Sequence, residues 1–250
     1  MKNTQTLIDL LLERAESPQQ SVGYRFLLNG EDKYEDCSYA ELAHRAKVLA
    51  AELQKRKLEG ERALLLFPPG IEYIVSFFRC LQAGVTPVPA YPPDIRRASK
   101  TIPRLKVIAD DCQPKAALTS HAILKKVRPL LFVTGQLFKM KWLSPQMAPE
   151  KGVKNWRKPH LSGSDVAFLQ YTSGSTSKPK GVRVTHSNLL NNLSHIEHNF
   201  GHTTKSQGVI WLPPYHDMGL IGGILAPLYT GFPVTLMSPL DFIRKPVRWL

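Results

Sequence analysis

Three cysteines, Cys37, Cys80 and Cys112, are all that the 250 residues hold, far apart and without a CxxC pair. An odd, scattered set gives no disulfide or zinc framework and fits a reduced protein, so a cytoplasmic location is expected. An uninterrupted apolar span is also lacking. Residues 218–240 carry no charge and could cross a bilayer by length, but Pro227, Pro233, Pro239 and four glycines break any spanning helix. No transmembrane segment is expected, and the stretch reads as a buried helix followed by a buried strand. Near the start, Asp9 and Glu13 interrupt the apolar run and no small-residue cleavage site follows, so no signal peptide is expected. A metal motif is missing too. His195, His198 and His202 share one side of a helix and its exit, yet no HExxH pattern or carboxylate completes a site, so dipole partnership is the better reading.

Acids are nearly absent from one stretch. Residues 95–158 carry 15 Lys or Arg against three acids, Asp110, Asp111 and Glu150, within a chain of net charge +13. Such a surface attracts nucleic acid, acidic lipid or acidic protein, or is simply a solvated face. No nucleic-acid-binding motif accompanies it, so no specific nucleic acid is expected as a partner.

Helical and strand patterns alternate, which points to an α/β sheet. Ser38-Tyr-Ala-Glu41 signs a capped helix to about Lys57, with Leu42, Ala46, Leu49 and Leu53 on one face. Residues 62–67 read as a strand, 71–83 as a helix closed by Gly84, and 85–89 as a strand. A helix near 104–111, a strand at 115–119 and a helix from Ser120 follow. Residues 132–160 have weak periodicity and several prolines, and are expected to be a long surface connection. Ser187 is expected to cap a helix to about Phe200, with strands at 208–212 and 234–237 and a helix at 220–229.

What is abundant sits between two strand-like runs, 166–170 and 182–185. From Thr172 to Thr176 every residue bears a hydroxyl except Gly174, and Lys178, Pro179, Lys180 and Gly181 follow. Hydroxyls, a close-approaching backbone and ammonium groups suit a polyphosphate, and the flanks place the loop at a hairpin-like turn. It is not a Walker A loop, because Pro179 follows Lys178 where Lys-Ser/Thr is needed. Composition alone also fits a polar surface turn.

The order of residues is more specific. Tyr171-Thr-Ser-Gly-Ser-Thr176, then Pro179-Lys-Gly-Val182, closely resembles the phosphate loop of the adenylate-forming enzymes, the acyl-CoA synthetase and luciferase superfamily. Trp211-Leu-Pro-Pro-Tyr-His-Asp-Met-Gly-Leu220 lies where that superfamily keeps its second motif. With Phe67-Pro-Pro-Gly70 and Pro89-Ala-Tyr-Pro-Pro93, it resembles the fatty acyl-AMP ligases, and the likeness runs from about Leu7 to Leu250. One departure is Ser177, where the loop usually has Gly; a positive φ there would cost a non-glycine residue about 1 kcal/mol.

The resemblance implies ATP-dependent activation of a fatty acid to an acyl-adenylate, with an acyl carrier protein as a possible acidic partner. It implies that Thr172, Ser173, Gly174, Ser175, Thr176, Lys180 and Gly181 hold ATP phosphates, with Lys180 beside the leaving pyrophosphate. His216 would sit near the carboxylate and α-phosphate, and Asp217, Met218 and Gly219 would complete the substrate wall. A hydrogen bond from His216 to Asp217 or backbone is the bland alternative. Gly222-Gly223 would allow close approach, or would merely pack a helix. Enzymes of this family are usually more than twice as long. The chain is therefore expected to be truncated: residues 1–250 would form the N-terminal portion of an adenylation domain, with the C-terminal domain and the magnesium-coordinating acid absent. A non-catalytic binding remnant and a fragment of an acyl-CoA synthetase are the alternatives.

Overall fold

The computed structural model of the protein describes residues 4–17, 22–94, 97–129, 136–145, 150–172 and 179–249. Its first half runs α1 (Leu7–Ala15), β1 (Val22–Leu27), β2 (Tyr34–Ser38), α2 (Tyr39–Lys55), β3 (Arg62–Leu66), α3 (Ile71–Gln82), β4 (Thr86–Pro89), α4 (Ala98–Cys112), β5 (Ala116–Thr119) and α5 (His121–Val127). The second half has α6 (Gln136–Lys139), β6 (Lys141–Leu143), β7 (Val166–Thr172), β8 (Lys180–Thr185), α7 (His186–Phe200) and β9 (Gly208–Ile210). A π-helical segment (Met218–Leu225), α8 (Ala226–Thr230), β10 (Val234–Met237) and α9 (Pro239–Arg244) complete it.

The expected α/β alternation yields a four-stranded parallel sheet ordered β4-β3-β5-β6. Its central strands are apolar on both faces, as a sheet covered on both sides requires. Ala63, Leu65, Ala116 and Leu118 join the main core with α3, whereas Leu64, Leu66 and Ala117 meet Leu105 and Ile108 of α4, Val127 of α5 and Leu137 of α6. A second sheet, β2-β1-β10-β9, pairs β1 in parallel with β10 and antiparallel with β2. Between these layers α3 is buried almost all round, including Arg79, whose Nε donates to the Leu49 carbonyl at 3.1 Å. Burial pulls that guanidinium down to a pKa of about 10, still charged at neutral pH.

Ser38 caps α2 through the Glu41 amide at 3.1 Å, and Leu42, Ala46, Leu49 and Leu53 are all buried, as expected. Gly84 closes α3 at φ +69°, which only glycine adopts without strain. Three expectations are corrected. The stretch 132–160 is more than a surface connection, because α6 and β6 extend the parallel sheet, Leu137, Met140 and Leu143 are buried, and Trp156 donates to the Gln82 carbonyl at 2.8 Å. Elements of three or four residues carry too little periodicity to be read in sequence. Thr185, not Ser187, caps α7, in a reciprocal box with Asn188. And α4 begins at Ala98 and runs through Pro103, whereas a helix was expected only near 104–111.

The N-terminus is tied to the far end of the chain. The Leu7 amide donates to Nδ1 of His186 at 3.1 Å, and Arg14 donates to the carbonyls of Leu228, at 3.0 Å, and Tyr229. No helix among the described residues is long and apolar enough to cross a membrane.

Candidate active site

Strands β7 and β8 form the expected hairpin, with Tyr171 opposite Gly181 and Thr172 opposite Lys180 at its mouth. Ser173, Gly174, Ser175 and Thr176, with Ser177 and Lys178, lie outside the described residues. Thr172, Lys180 and Gly181 are exposed at the point where that loop leaves and returns.

The mouth of the hairpin is held from beneath. Tyr171 packs over Gly181 so closely that a Cβ there would meet the ring at 2.8 Å, and its hydroxyl donates to Asp111 near the end of α4. Burial, and then the Asp111 carboxylate, hold the phenol well above its usual pKa, so it remains a donor. Sequence reasoning assigned neither residue a role, since the pair is 60 positions apart. Tyr171→Phe is expected to lower the melting temperature by about 2–4 °C, for about 1 kcal/mol lost with the hydrogen bond. Thermal denaturation checks this; an unchanged melt would show that the Asp111 contact does not hold the hairpin.

The second motif meets the hairpin at Gln170, a buried polar side chain of β7. Gln170 Nε2 donates to the Tyr215 carbonyl at 3.3 Å, one residue before His216. Tyr73 of α3 donates to the Pro214 carbonyl at 2.7 Å, fixing the Pro213-Pro214 turn from the core. The Tyr215 ring packs 4.1 Å from that of Tyr91, so the Pro89–Pro93 segment adjoins the same corner. Two separated motifs and the hairpin thus converge.

His216 is exposed, with Nδ1 2.5 Å from Oδ1 of Asp217, the oxygen that also accepts the Met218 amide at 2.7 Å. Asp217 is thus the neighbour of Nδ1, as the bland alternative has it, and it does not occupy the whole ring. With Nδ1 engaged, Nε2 is the atom left to face a ligand. Met218 and Gly219 part company: Met218 is 64% exposed, whereas Gly219 is buried, and a Cβ on it would lie 2.1 Å from the Pro213 carbonyl oxygen. Gly219 also lines a narrow apolar cleft with Pro69, Gly70, Leu212, Pro214 and Leu236. Its free volume of about 10 Å³ admits one water and no alkyl chain unless side chains move. The Phe67–Gly70 motif thus shares a wall with the second motif. Of the glycine pair, only Gly223 meets a close neighbour, Ile210 at 2.9 Å; Gly222 has open space.

A family model described as AMP-binding enzyme matches residues 13–250. A medium-chain-fatty-acid–[acyl-carrier-protein] ligase, JamA of Moorena producens, is 43% identical over 98% of this chain and 42% of its own length. A long-chain-fatty-acid–AMP ligase, FadD32 of Mycolicibacterium smegmatis, is 33% identical over 92% of this chain and 36% of its own. Among solved structures, the Legionella pneumophila fatty acyl-adenylate ligase in complex with acyl adenylate and pyrophosphate superposes with a TM-score of 0.90 at 36% identity. That alignment covers 99% of this chain and 42% of the other. The chain therefore spans about two-fifths of the length of the relatives it matches.

Proposed function

The chain belongs to the AMP-binding enzyme family, and on that footing we propose that it takes part in ATP-dependent activation of a fatty acid to its acyl-adenylate, for transfer to an acyl carrier protein. Residues 1–250 would serve as the N-terminal portion of the adenylation domain. The observation that carries this reading is the convergence of the β7–β8 hairpin with the Pro213–Gly219 turn, joined by the Gln170–Tyr215 hydrogen bond. The names of the relatives support the substrate class.

In the proposed step a carboxylate oxygen of the fatty acid attacks the α-phosphorus of ATP. A new P–O bond forms, the bond to the β-phosphate breaks, and pyrophosphate leaves with the electron pair. Two anions must meet, so positioning and charge neutralisation do most of the work. Thr172, Ser173, Gly174, Ser175, Thr176 and Gly181 cradle the β- and γ-phosphates, and Lys180 neutralises the leaving group. His216 presents Nε2 to charge developing between carboxylate and α-phosphate while Asp217 orients the ring. Gly219 keeps the apolar wall close to the Pro213-Pro214 turn. Family chemistry uses magnesium; among the described residues no three His, Cys, Asp or Glu side chains could hold a metal ion, so no step is routed through one.

Fatty-acid-dependent ATP–pyrophosphate exchange tests the reading. Lys180→Ala is expected to reduce exchange by at least about a hundredfold, the scale of losing one preorganised charge partner. Exchange that is indifferent to this substitution would refute the loop assignment. A folded chain with no exchange would leave these residues a binding element whose chemistry needs more of the protein than 250 residues.

A further inference from the structure

Nearly all of the +13 net charge lies in residues 95–158, and the fold places six of these cations on one set of helices. Helices α4, α5 and α6 cover the face of the parallel sheet opposite α3 and bury Leu105, Ile108, Val127 and Leu137. Their other sides are exposed and carry Lys100, Arg104, Lys106, Lys125, Lys126 and Lys139. Elsewhere cations are commonly paired: Arg25 with Asp36, Arg45 with Glu35, Glu41 and Glu72, Arg56 with Glu52, and Lys245 and Arg248 with Glu31. Among the described residues, Lys100, Lys106, Lys125, Lys126 and Lys139 form no ion pair. Concentrated like charge destabilises a compact state through self-repulsion, and an acidic partner would offset that repulsion.

The surface also has a defined relation to the candidate site. At one edge the Arg104 guanidinium lies 5.7 Å over the Tyr91 ring, and Tyr91 packs against Tyr215, the neighbour of His216. At the other, Asp111 of α4 holds Tyr171 beneath the phosphate-loop hairpin. A molecule seated on α4 is therefore adjacent to the acyl wall.

The chemistry of the surface selects among anionic partners. A lipid-binding helix face needs apolar side chains to insert, and among the described residues between 97 and 145 the only exposed large apolar side chain is Val107, at 37%. A single-stranded nucleic acid needs stacking platforms; among the described residues from 97 to 145 no aromatic ring is exposed, and Tyr91 at the edge is already packed against Tyr215 and Arg104. What remains is charge spread over helices, suited to the acidic surface of a folded protein.

We infer that the outer face of α4 and α5 is the docking surface for an acidic acyl carrier protein, which delivers the acyl acceptor over the Arg104–Tyr91 edge. The inference rests on the ligase reading above. Complex formation is electrostatic, accelerated at low salt and weakened as salt screens it.

The test is fluorescence anisotropy with a labelled holo-acyl carrier protein, titrated with the purified chain at low and physiological salt. Lys106→Glu/Lys126→Glu is compared with Lys33→Glu/Lys205→Glu, which changes the net charge equally on other surfaces. We expect the first variant to weaken binding at least about tenfold and the control less than about twofold. Circular dichroism confirms that both exposed double substitutions leave the fold intact. Equal loss in both variants, no binding by the unsubstituted chain, or binding only to anionic vesicles or random DNA would overturn the proposal. Pyrophosphate exchange measured in parallel separates the two readings. Exchange without carrier binding overturns docking alone, exchange indifferent to Lys180→Ala overturns the ligase reading alone, and carrier binding lost only in the α4–α5 variant supports docking whether or not exchange is seen.

Discussion

Gly219→Ala is expected to lower the melting temperature by about 6–12 °C, for a cost of about 3 kcal/mol in a chain of this size. The cause is a collision with backbone, which cannot rotate away as a side chain can. The new methyl would sit 2.1 Å from the Pro213 carbonyl oxygen and 3.0 Å from that of Leu212. Relief requires the π-helical segment to draw back from the Pro213-Pro214 turn. Two hydrogen bonds cross that junction, from the His216 amide to Pro213 at 3.1 Å and from the Leu220 amide to His216 at 2.9 Å. Both would stretch, so His216 would move with the segment, and exchange activity should fall beyond what instability explains. Gly222→Ala, three residues along, is the control. A Cβ there meets nothing within 4 Å, so the change should be neutral or gain up to about 1 kcal/mol by stiffening the unfolded chain. Differential scanning calorimetry of the two variants decides; equal melting temperatures would mean that the Gly219 approach is not tight.

Acid should destabilise the protein well above the range in which carboxylates titrate. His186 is fully buried, accepts the Leu7 amide through Nδ1, and has no partner on Nε2. Burial pulls its pKa from the ordinary 6.5 down to about 4, against weaker upward pulls from Asp165 and Asp9. The unfolded chain then binds more protons than the folded one between these two values. Stability is complete above pH 6.5 and falls as pH drops through the window towards 4. The full loss is about 3 kcal/mol, of which about 2 kcal/mol should be gone by pH 5. Protonation also removes the Nδ1 lone pair, so the α1–α7 contact is what breaks. Urea unfolding at pH 7.5 and pH 5.0 measures the loss. His186→Asn can still accept from Leu7 but cannot titrate, and its profile should be flatter across this interval. Identical slopes for the two proteins would remove His186 as the cause.

The parts of this architecture legible in sequence are those whose signal and partner are local. The strand–loop–strand at 166–185 shows its two apolar runs and the polar turn between them, and β7 and β8 form there. The same holds for α2, where Ser38 and a four-residue apolar spacing lie within one helix. The β1–β2 hairpin was not legible, because β1 is completed by β10, more than two hundred positions away. Thr185 could have been found as the cap of α7 from Asn188 three positions on, the reciprocal partner that Ser187 lacks. At the site, motif order pointed to His216 and Lys180 as candidates. It was silent on Tyr171–Asp111, Gln170–Tyr215 and Tyr73–Pro214, each a contact between distant residues. Gly219, Gly222 and Gly223 were all named, but which of them meets a close backbone depends on the path of the preceding turn.

The long-range ties of α1 have a consequence for synthesis on the ribosome. Leu7 waits for His186, Arg14 for Leu228 and Tyr229, and β1 for β10. At roughly 5–20 residues per second, the first forty residues emerge about 10–40 seconds before their partners. The parallel sheet, with all its strands between Arg62 and Leu143, can close meanwhile. During that interval Leu7, Ile8, Leu10 and Leu11, all buried in the finished fold, have α2 and α3 beside them but not yet α8, so the stripe is only partly covered. The nascent N-terminus is thus a segment a chaperone could still engage until the last elements emerge.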